Sequence, residues 1–532
     1  MTNELREIVA SRVRTGDRRV LQTVREWETA EGRFTAFYFR AEVCGGAAVP
    51  VYAVLGVPAG AGPFPGVLHF HGGGQTANPY LVEALVRHGY AAISFDWTGP
   101  REEREHVTRW NTAVRYSSVE PDAARIIRAL TAGRQCLSIL SEHPRVDATR
   151  LGEFGISWGG FQTWLLNAVD DRLKAAIAIY GCGITPAQAR CYFQGEVAET
   201  GGVDAQRWFS LFHPAHYARC QHAPVLFVNG TNDFFGWMNN YRQLARKLDG
   251  RHRCAFAPHL NHAVGTLNPT LLAWLDHHLR DRAFPDAPRL EMERHSDGLR
   301  LRSPQLPGAH AATFYVAAET GVGPDLFWHP YAAECRGGEF HVAIPWADLP
   351  CRRLLGYIHQ RWADGVELSS VPVRIDGAPA ARVDAESAFP LAPEFWYGPA
   401  PTDPFYPYLP LGGGTTGPAR EVTDSDLAYQ FNTRLVAEAR WRPARGQRFS
   451  CHLDGPVQDP VTVAVLKYAG SPREQRFQGE FSRAALAEGI RLDELKGAAG
   501  QGLRNGAGLS HLFLGGTATG PGVVRLLTAG WR

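Results

Sequence analysis

The 532-residue chain has no run approaching the roughly 18 continuous apolar residues that a membrane-crossing helix requires, so no membrane span is expected. Met1 to Glu31 is charged throughout (Glu4, Arg6, Arg12, Arg14, Arg18, Arg19) and lacks the apolar core of a signal sequence, which makes cytoplasm the expected location. Excess charge is missing too. Lys and Arg number 55 against 53 Asp and Glu, a formal +2, too little field to draw the protein to nucleic acid or to a membrane surface. The nine cysteines (Cys44, Cys136, Cys182, Cys191, Cys220, Cys254, Cys335, Cys351, Cys451) include no CxxC pair and no framework spacing, so they read as buried thiols in a reducing compartment. Internal repeats and low-complexity tracts are also absent. What remains, with 45% hydrophobic residues, describes a soluble globular chain long enough for about three domains.

Up to about residue 285, short apolar runs alternate with helical patterns. Phe34 to Val43 and Val51 to Val57 suit an antiparallel pair. Gly66 to His71, Ala91 to Trp97, Leu151 to Gly155, Ala175 to Tyr180, Val225 to Val228 and Cys254 to Ala257 suit parallel strands buried on both faces. Between them, Asn78 to His88 and Pro121 to Ser141 repeat apolar residues at helical spacing, the second with Pro121 in its first turn. The expected fold class is α/β, a doubly wound sheet, and ligands of such sheets lie at the carboxyl ends of the strands.

Chemistry concentrates at those ends. Gly155-Ile156-Ser157-Trp158-Gly159-Gly160 stands between a strand candidate, Arg150 to Phe154, and a helix candidate, Phe161 to Val169, the setting of a strained nucleophile elbow. Bulky residues two positions either side of Ser157 would collide, which accounts for Gly155 and Gly159. Upstream, Pro65 to Gly74 reads as a buried strand running into His71-Gly72-Gly73-Gly74, an element that can supply an oxyanion amide near Gly73, to pair with that of Trp158. Downstream, Asp233 follows the strand ending at Gly230, and His262 follows Cys254 to Pro258. The candidates are thus Ser157 as nucleophile, Asp233 as acid and His262 as base, in an order unlike that of chymotrypsin or subtilisin. Asp233 could instead cap the helix carrying Trp237 to Leu248, and His259 competes with His262. No nearby Cys, Asp or Glu completes a zinc-like set with the two histidines, so no metal is expected, and attack by a serine on an ester requires no cofactor. Trp97, Trp237 and Phe234, next to strand ends, are candidates for shaping the substrate pocket, and Gly183 to Gln221, with Tyr192, Phe193, Trp208, Phe209, Phe212 and Tyr217, for a lid.

The run Val146 to Gly160 (VDATRLGEFGISWGG) resembles the acetyl-xylan-esterase, dienelactone-hydrolase and prolyl-oligopeptidase branch of the α/β-hydrolase superfamily. Asn229-Gly230-Thr231-Asn232-Asp233 and Pro258-His259-Leu260-Asn261-His262 look more narrowly like its acetyl-xylan-esterase-like and PhoPQ-activated-protein-like members. The resemblance covers about residues 30 to 285. It implies a serine hydrolase with nucleophile Ser157, acid Asp233 and base His262, without cofactor. One departure is visible: many deacetylases of this branch carry an aromatic residue after the His-Gly of the oxyanion loop, where this chain has Gly73.

After Arg282 short alternating runs take over, at Ala312 to Ala317, Glu339 to Ile344, Leu354 to His359 and Val371 to Ile375. The expected organisation is a catalytic domain over 1–285 with its lid at about 183–221, a β-sandwich over 286–385, a Pro- and aromatic-rich linker or loop over 386–420, and a jelly-roll-like β-domain over 421–532. The last has strand candidates at Phe449 to Leu453, Val461 to Tyr468, Gln475 to Phe481, His511 to Leu514 and Val523 to Leu527. Aromatics such as Trp328, Trp346, Trp362 and the cluster Glu394 to Tyr408 invite sugar stacking, although core packing is the commoner fate of such residues. The leading functional reading is a carboxylester hydrolase acting on a small-molecule or carbohydrate ester, its β-domains tuning access or assembling a homo-oligomer. A serine peptidase or amidase is the second, because a hydrolase-first, jelly-roll-last layout is similar to X-prolyl-peptidases and cocaine esterase. A non-catalytic carbohydrate-binding protein is the third.

Overall fold

The computed structural model describes residues 2–12, 20–99, 105–184, 203–260, 262, 267–319, 326–349, 353–376, 396, 419–438, 441–443, 446–467, 475–503 and 509–532. The N-terminal layer runs α1 (Thr2–Arg12), β1 (Val20–Glu28), β2 (Gly32–Cys44), β3 (Ala47–Pro58), β4 (Phe64–Phe70), α2 (Pro79–Arg87), β5 (Ala91–Phe95) and α3 (Arg125–Glu142). It continues with β6 (Val146–Ile156), α4 (Trp158–Val169), β7 (Leu173–Ile179), α5 (Val203–Phe212), β8 (Val225–Gly230), α6 (Met238–Ala245), β9 (His252–Ala257) and α7 (Pro269–Arg280). The sheet order is β1-β2-β3-β5-β4-β6-β7-β8-β9, antiparallel up to the β3–β5 pair and parallel from β5 onward. Every β5 and β8 residue is buried, as strands covered by helices on both faces must be.

Two of the helices, α2 and α7, begin where a side chain satisfies a free amide. Asn78 accepts from the Leu81 amide ahead of Pro79, and Asn268 from the Leu271 amide ahead of Pro269. α3 starts at Arg125 rather than at Pro121. Arg115 forms a β-bridge with Ala124, whose extended backbone (φ −76°, ψ 105°) cannot belong to a helix, and Pro121 falls in the preceding turn. α4 is buried along its whole length, and its Leu165 and Leu166 each gain about 1.5 to 3 kcal/mol of transfer free energy from leaving water. α1 and β1 lay outside the sequence expectations. β1 is a mostly exposed edge strand whose pairing with β2 is interrupted by two register shifts, at Val20/Gln22 and Thr23/Arg25, which protects the edge from further strands.

Two further β units follow. Strands Glu291–Arg294, Gly298–Pro304, Glu339–Pro345 and Glu334–Arg336 make one four-stranded sheet. Glu367–Ser369, Arg353–Trp362, Ala309–Ala318 and His329–Ala332 extend the main sheet beyond β9 through a Ser369–Cys254 pairing, giving 14 strands in all with Val373–Asp376. This unit shares one apolar core with the N-terminal layer, from Leu5 to Ile375. The last unit stacks Ala419–Val422, Gly522–Trp531, Arg448–Asp454 and Ile490–Arg491 against Ala428–Thr433, Leu509–Thr517, Val461–Lys467 and Gln475–Phe481, around a second core. α/β layer first and β units after is the expected fold class. Of the expected aromatic loop Glu394 to Tyr408, only Trp396 is among the described residues, and it is wholly buried in the second core. Tyr192 and Phe193 of the expected lid also lie outside them.

Candidate active site

Ser157 stands at the break between β6 and α4 with φ 59° and ψ −121°, a backbone that non-glycine residues adopt only where the surroundings force it. Close approach supplies that force. A Cβ at Gly155 would lie 2.2 Å from the Gly159 carbonyl oxygen, and one at Gly159 would lie 2.2 Å from that of Phe70. The Ser157 amide donates to Ile179 O (2.9 Å), tying the turn to the end of β7, and its carbonyl receives the Phe161 amide (3.0 Å). Trp158 opens α4, so its amide has no acceptor within the helix and sits at the positive end of the dipole.

Asp233 and His262 meet two strands away. His262 Nδ1 lies 2.6 Å from Asp233 Oδ2, while Asp233 Oδ1 accepts from the amides of Phe235 (2.8 Å) and Gly236. With Oδ1 engaged by amides, Oδ2 is the oxygen that faces Nδ1 and can accept a hydrogen bond from it. The ring packs on two aromatics: Tyr180 stacks on it at 4.0 Å and Phe234 lies tilted at 4.7 Å. Tyr180 directly follows Ile179, the acceptor of the Ser157 amide, so the end of β7 is bonded to the nucleophile turn and packed on the imidazole.

His259, the competing histidine, has another place. Its Nε2 lies 2.7 Å from Trp328 O, its ring packs on Phe327 at 4.8 Å, and burial pushes its pKa down to about 3. Its amide donates to Thr231 Oγ1 (2.8 Å), and the Asn232 amide donates to Leu260 O (3.0 Å), so the Asp233 and His262 loops are bonded to each other.

The glycine loop after β4 is built around His71. Its Nδ1 donates to Gly72 O (2.7 Å), its Nε2 accepts the Trp97 amide (3.2 Å), and Trp97 Nε1 donates to His71 O (3.0 Å) with the rings stacked. Trp97 is wholly buried and braces this loop. The Gly72 amide is taken by Gln75 Oε1 (2.9 Å), which leaves Gly73 as the next amide along. Phe234 and Trp237 are half-buried beside Asp233, and the indole nitrogen of Trp237 is buried without a partner among the described residues. Tyr116 joins the site unforeseen by the sequence. It stacks on Trp158 at 4.6 Å under the Arg125 guanidinium, and its hydroxyl lies 3.4 Å from where a Gly73 Cβ would be. It comes from a segment with no periodicity, so no local signal marked it. Among the described residues no group of three or more His, Cys, Asp or Glu could hold a metal ion.

The layer and its elbow define an α/β-hydrolase domain. Residues 51–257 match the model of the Dienelactone hydrolase family. Acyl-coenzyme A thioesterase 3 of Mus musculus is 26% identical over 159 residues, 30% of this chain and 32% of that protein, so the chain matches about a third of that relative's length. Among solved structures, acetyl xylan esterase 1 from Thermoanaerobacterium sp. is 15% identical with TM-score 0.41, covering 50% of this chain and 89% of that one. A glucuronoyl esterase from Caldicellulosiruptor kristjansonii is 16% identical with TM-score 0.38, covering 53% and 85%.

Proposed function

We propose that the protein is a serine-dependent carboxylic ester hydrolase whose chemistry resides in its N-terminal unit. The observation that carries this reading is the 2.6 Å pairing of His262 Nδ1 with Asp233 Oδ2, together with a serine held at positive φ on a turn that the end of β7 links to the His262 ring through Ile179 and Tyr180. His262 Nε2 takes the Ser157 proton as Oγ attacks the ester carbonyl, and Asp233 orients the imidazole and stabilises its charge. The amides of Gly73 and Trp158 receive the oxyanion, each donor worth about 2.7 to 4 kcal/mol in the transition state. His262 then protonates the leaving alcohol, and water, activated by the same base, releases the acid from Ser157. The substrate is a small or carbohydrate-linked ester, a class supported by the Dienelactone hydrolase match and by the rings of Tyr116 and Phe235 packed on Trp158, the residue after Ser157.

The test is covalent labelling by a fluorophosphonate, run beside a panel of acetyl to octanoyl aryl esters, acetylated sugars, an acyl thioester and Ala-Pro or Gly-Pro arylamides. Wild-type protein should label and cleave esters, and Ser157→Ala should do neither while remaining folded. Labelling retained in Ser157→Ala would remove that serine from the role, and arylamide cleavage above ester cleavage would replace esterase by amidase.

A further inference from the structure

The loop that delivers His262 is gripped from outside the α/β layer. His259, three residues earlier, takes a left-handed backbone (φ 58°), so the direction in which the chain leaves it depends on how its peptide groups are held. Its amide is held by Thr231, within the layer. Its carbonyl is held by Arg434, whose Nη1 donates at 3.2 Å from the last β unit.

Arg434 is itself fixed. It follows the strand Ala428–Thr433, is 4% exposed, and donates from Nε to His511 Nε2 at 2.9 Å. Burial and the neighbouring guanidinium hold the His511 imidazole well below its ordinary pKa, so it stays a neutral acceptor. A planar guanidinium with donors on two edges can span the two acceptors at once, which a single ammonium cannot do with the same geometry. The segment Leu326–His329 closes the other side. Leu326 O accepts from Asn232 Nδ2 (2.5 Å), Trp328 O contacts the His259 ring, and His329 pairs with Glu438 (2.8 Å), four residues past Arg434.

The geometry points to Arg434 as a positioning residue for the base: by holding the His259 carbonyl it sets where His262 stands relative to Asp233 and Ser157, and so makes the last β unit part of the catalytic apparatus. This rests on His262 acting as the general base. Arg434 touches no substrate and acts only through the loop.

Arg434→Ala and Arg434→Lys in the full-length chain test it. The rate of fluorophosphonate labelling and kcat on an acetyl aryl ester are each expressed per active site titrated, so that any misfolded fraction drops out of both. Both variants should titrate but react about 10- to 100-fold more slowly per site, with KM little changed, because a displacement on the order of 1 Å in a catalytic group costs that much. Methylguanidinium, added below denaturing concentrations, should restore part of the rate of Arg434→Ala and none of that of Ser157→Ala. Titrated sites that turn over at the wild-type rate would overturn the assignment, whether or not the fraction of titratable protein falls. A wild-type protein that does not label, or a Ser157→Ala variant that does, would instead overturn the serine-hydrolase reading beneath it.

Discussion

A Cβ added at Gly73 would stand 2.6 Å from Cδ1 of Trp158, so the indole of the residue after the candidate nucleophile fills the space beside the glycine loop. The aromatic group beside this loop thus comes from α4. The glycine and the tryptophan are therefore two halves of one arrangement. The indole cannot retreat, since Tyr116 stacks on it at 4.6 Å and Phe235 and Phe161 lie at 5.1 Å and 5.4 Å.

Gly73→Ala should therefore lower both stability and turnover, and Trp158→Leu should move the preference among acetyl to octanoyl esters toward longer chains. Because the two positions share one space, Gly73→Ala should cost less in the Trp158→Leu background, a coupling of about 0.5 to 3 kcal/mol in kcat/KM. Identical chain-length profiles for wild type and Trp158→Leu would take the indole off the acyl side.

The two histidines of the last loop should separate cleanly. His262→Ala removes the group paired with Asp233 and should cost at least about 10³-fold in kcat, with little change in thermal midpoint. His259→Ala removes a buried ring bonded to Trp328 O and packed on Phe327, so its first effect should be a lower midpoint. Activity and melting curves measured on both variants decide it; a stable His259→Ala protein inactive to the level of His262→Ala would reverse the assignment.

How far this site could be read in advance depended on the range of the contacts. Ser157 was legible because the elbow's requirements are local: glycines two residues either side, a strand before, a helix after. The parallel strands were legible because burial on both faces leaves short continuous apolar runs. β1 was not, since most of its residues face solvent and its bulges break any alternation. Tyr116 and Arg434 left no local trace. One is placed by Trp158 and by Trp208, which donates to its carbonyl at 2.7 Å, and the other by a residue 175 positions away. The preference for His262 over His259 rested on loop position. The structure places His262 at Asp233 and His259 against Phe327 and Trp328 O from a later unit, a contact that no sequence pattern holds.

Acid should destabilise the protein between about pH 6.5 and 4. Burial pushes the pKa of His259 down to about 3, those of His213, His252 and His278 down to about 4, and those of His69 and His511 well below 6.5. For each, the unfolded chain takes the proton first as pH falls below 6.5, so stability present above that value is lost toward the folded one, by at most about 1.4 kcal/mol per group per pH unit. Glu153 opposes this. It is wholly buried, neither carboxyl oxygen has a partner among the described residues, and burial raises its pKa well above 4.5, so its contribution favours acid. The histidines outnumber it, and the thermal midpoint should fall from pH 7 to pH 5, more steeply in Glu153→Met. A midpoint that rises on acidification would contradict the burial of these imidazoles.

The last expectation concerns a 1–285 fragment. Read from the sequence, such a fragment should keep its reactivity, because Ser157, Asp233, His262 and the glycine loop all precede residue 285. The contacts argue the opposite. The Phe256 amide on β9 donates to Ser369 Oγ (3.1 Å), Asn232 to Leu326 O, and Arg434 to His259 O, and all three partners lie beyond the cut. Removing them leaves β9 as a bare edge and the base loop without its outer supports, while apolar surface of the shared core is exposed. The fragment should label with fluorophosphonate at a small fraction of the full-length rate per titrated site, or aggregate. Separately expressed 286–532, if it binds the fragment, should raise that rate. A soluble fragment that labels at the full-length rate would show that the α/β layer holds His262 in place by itself.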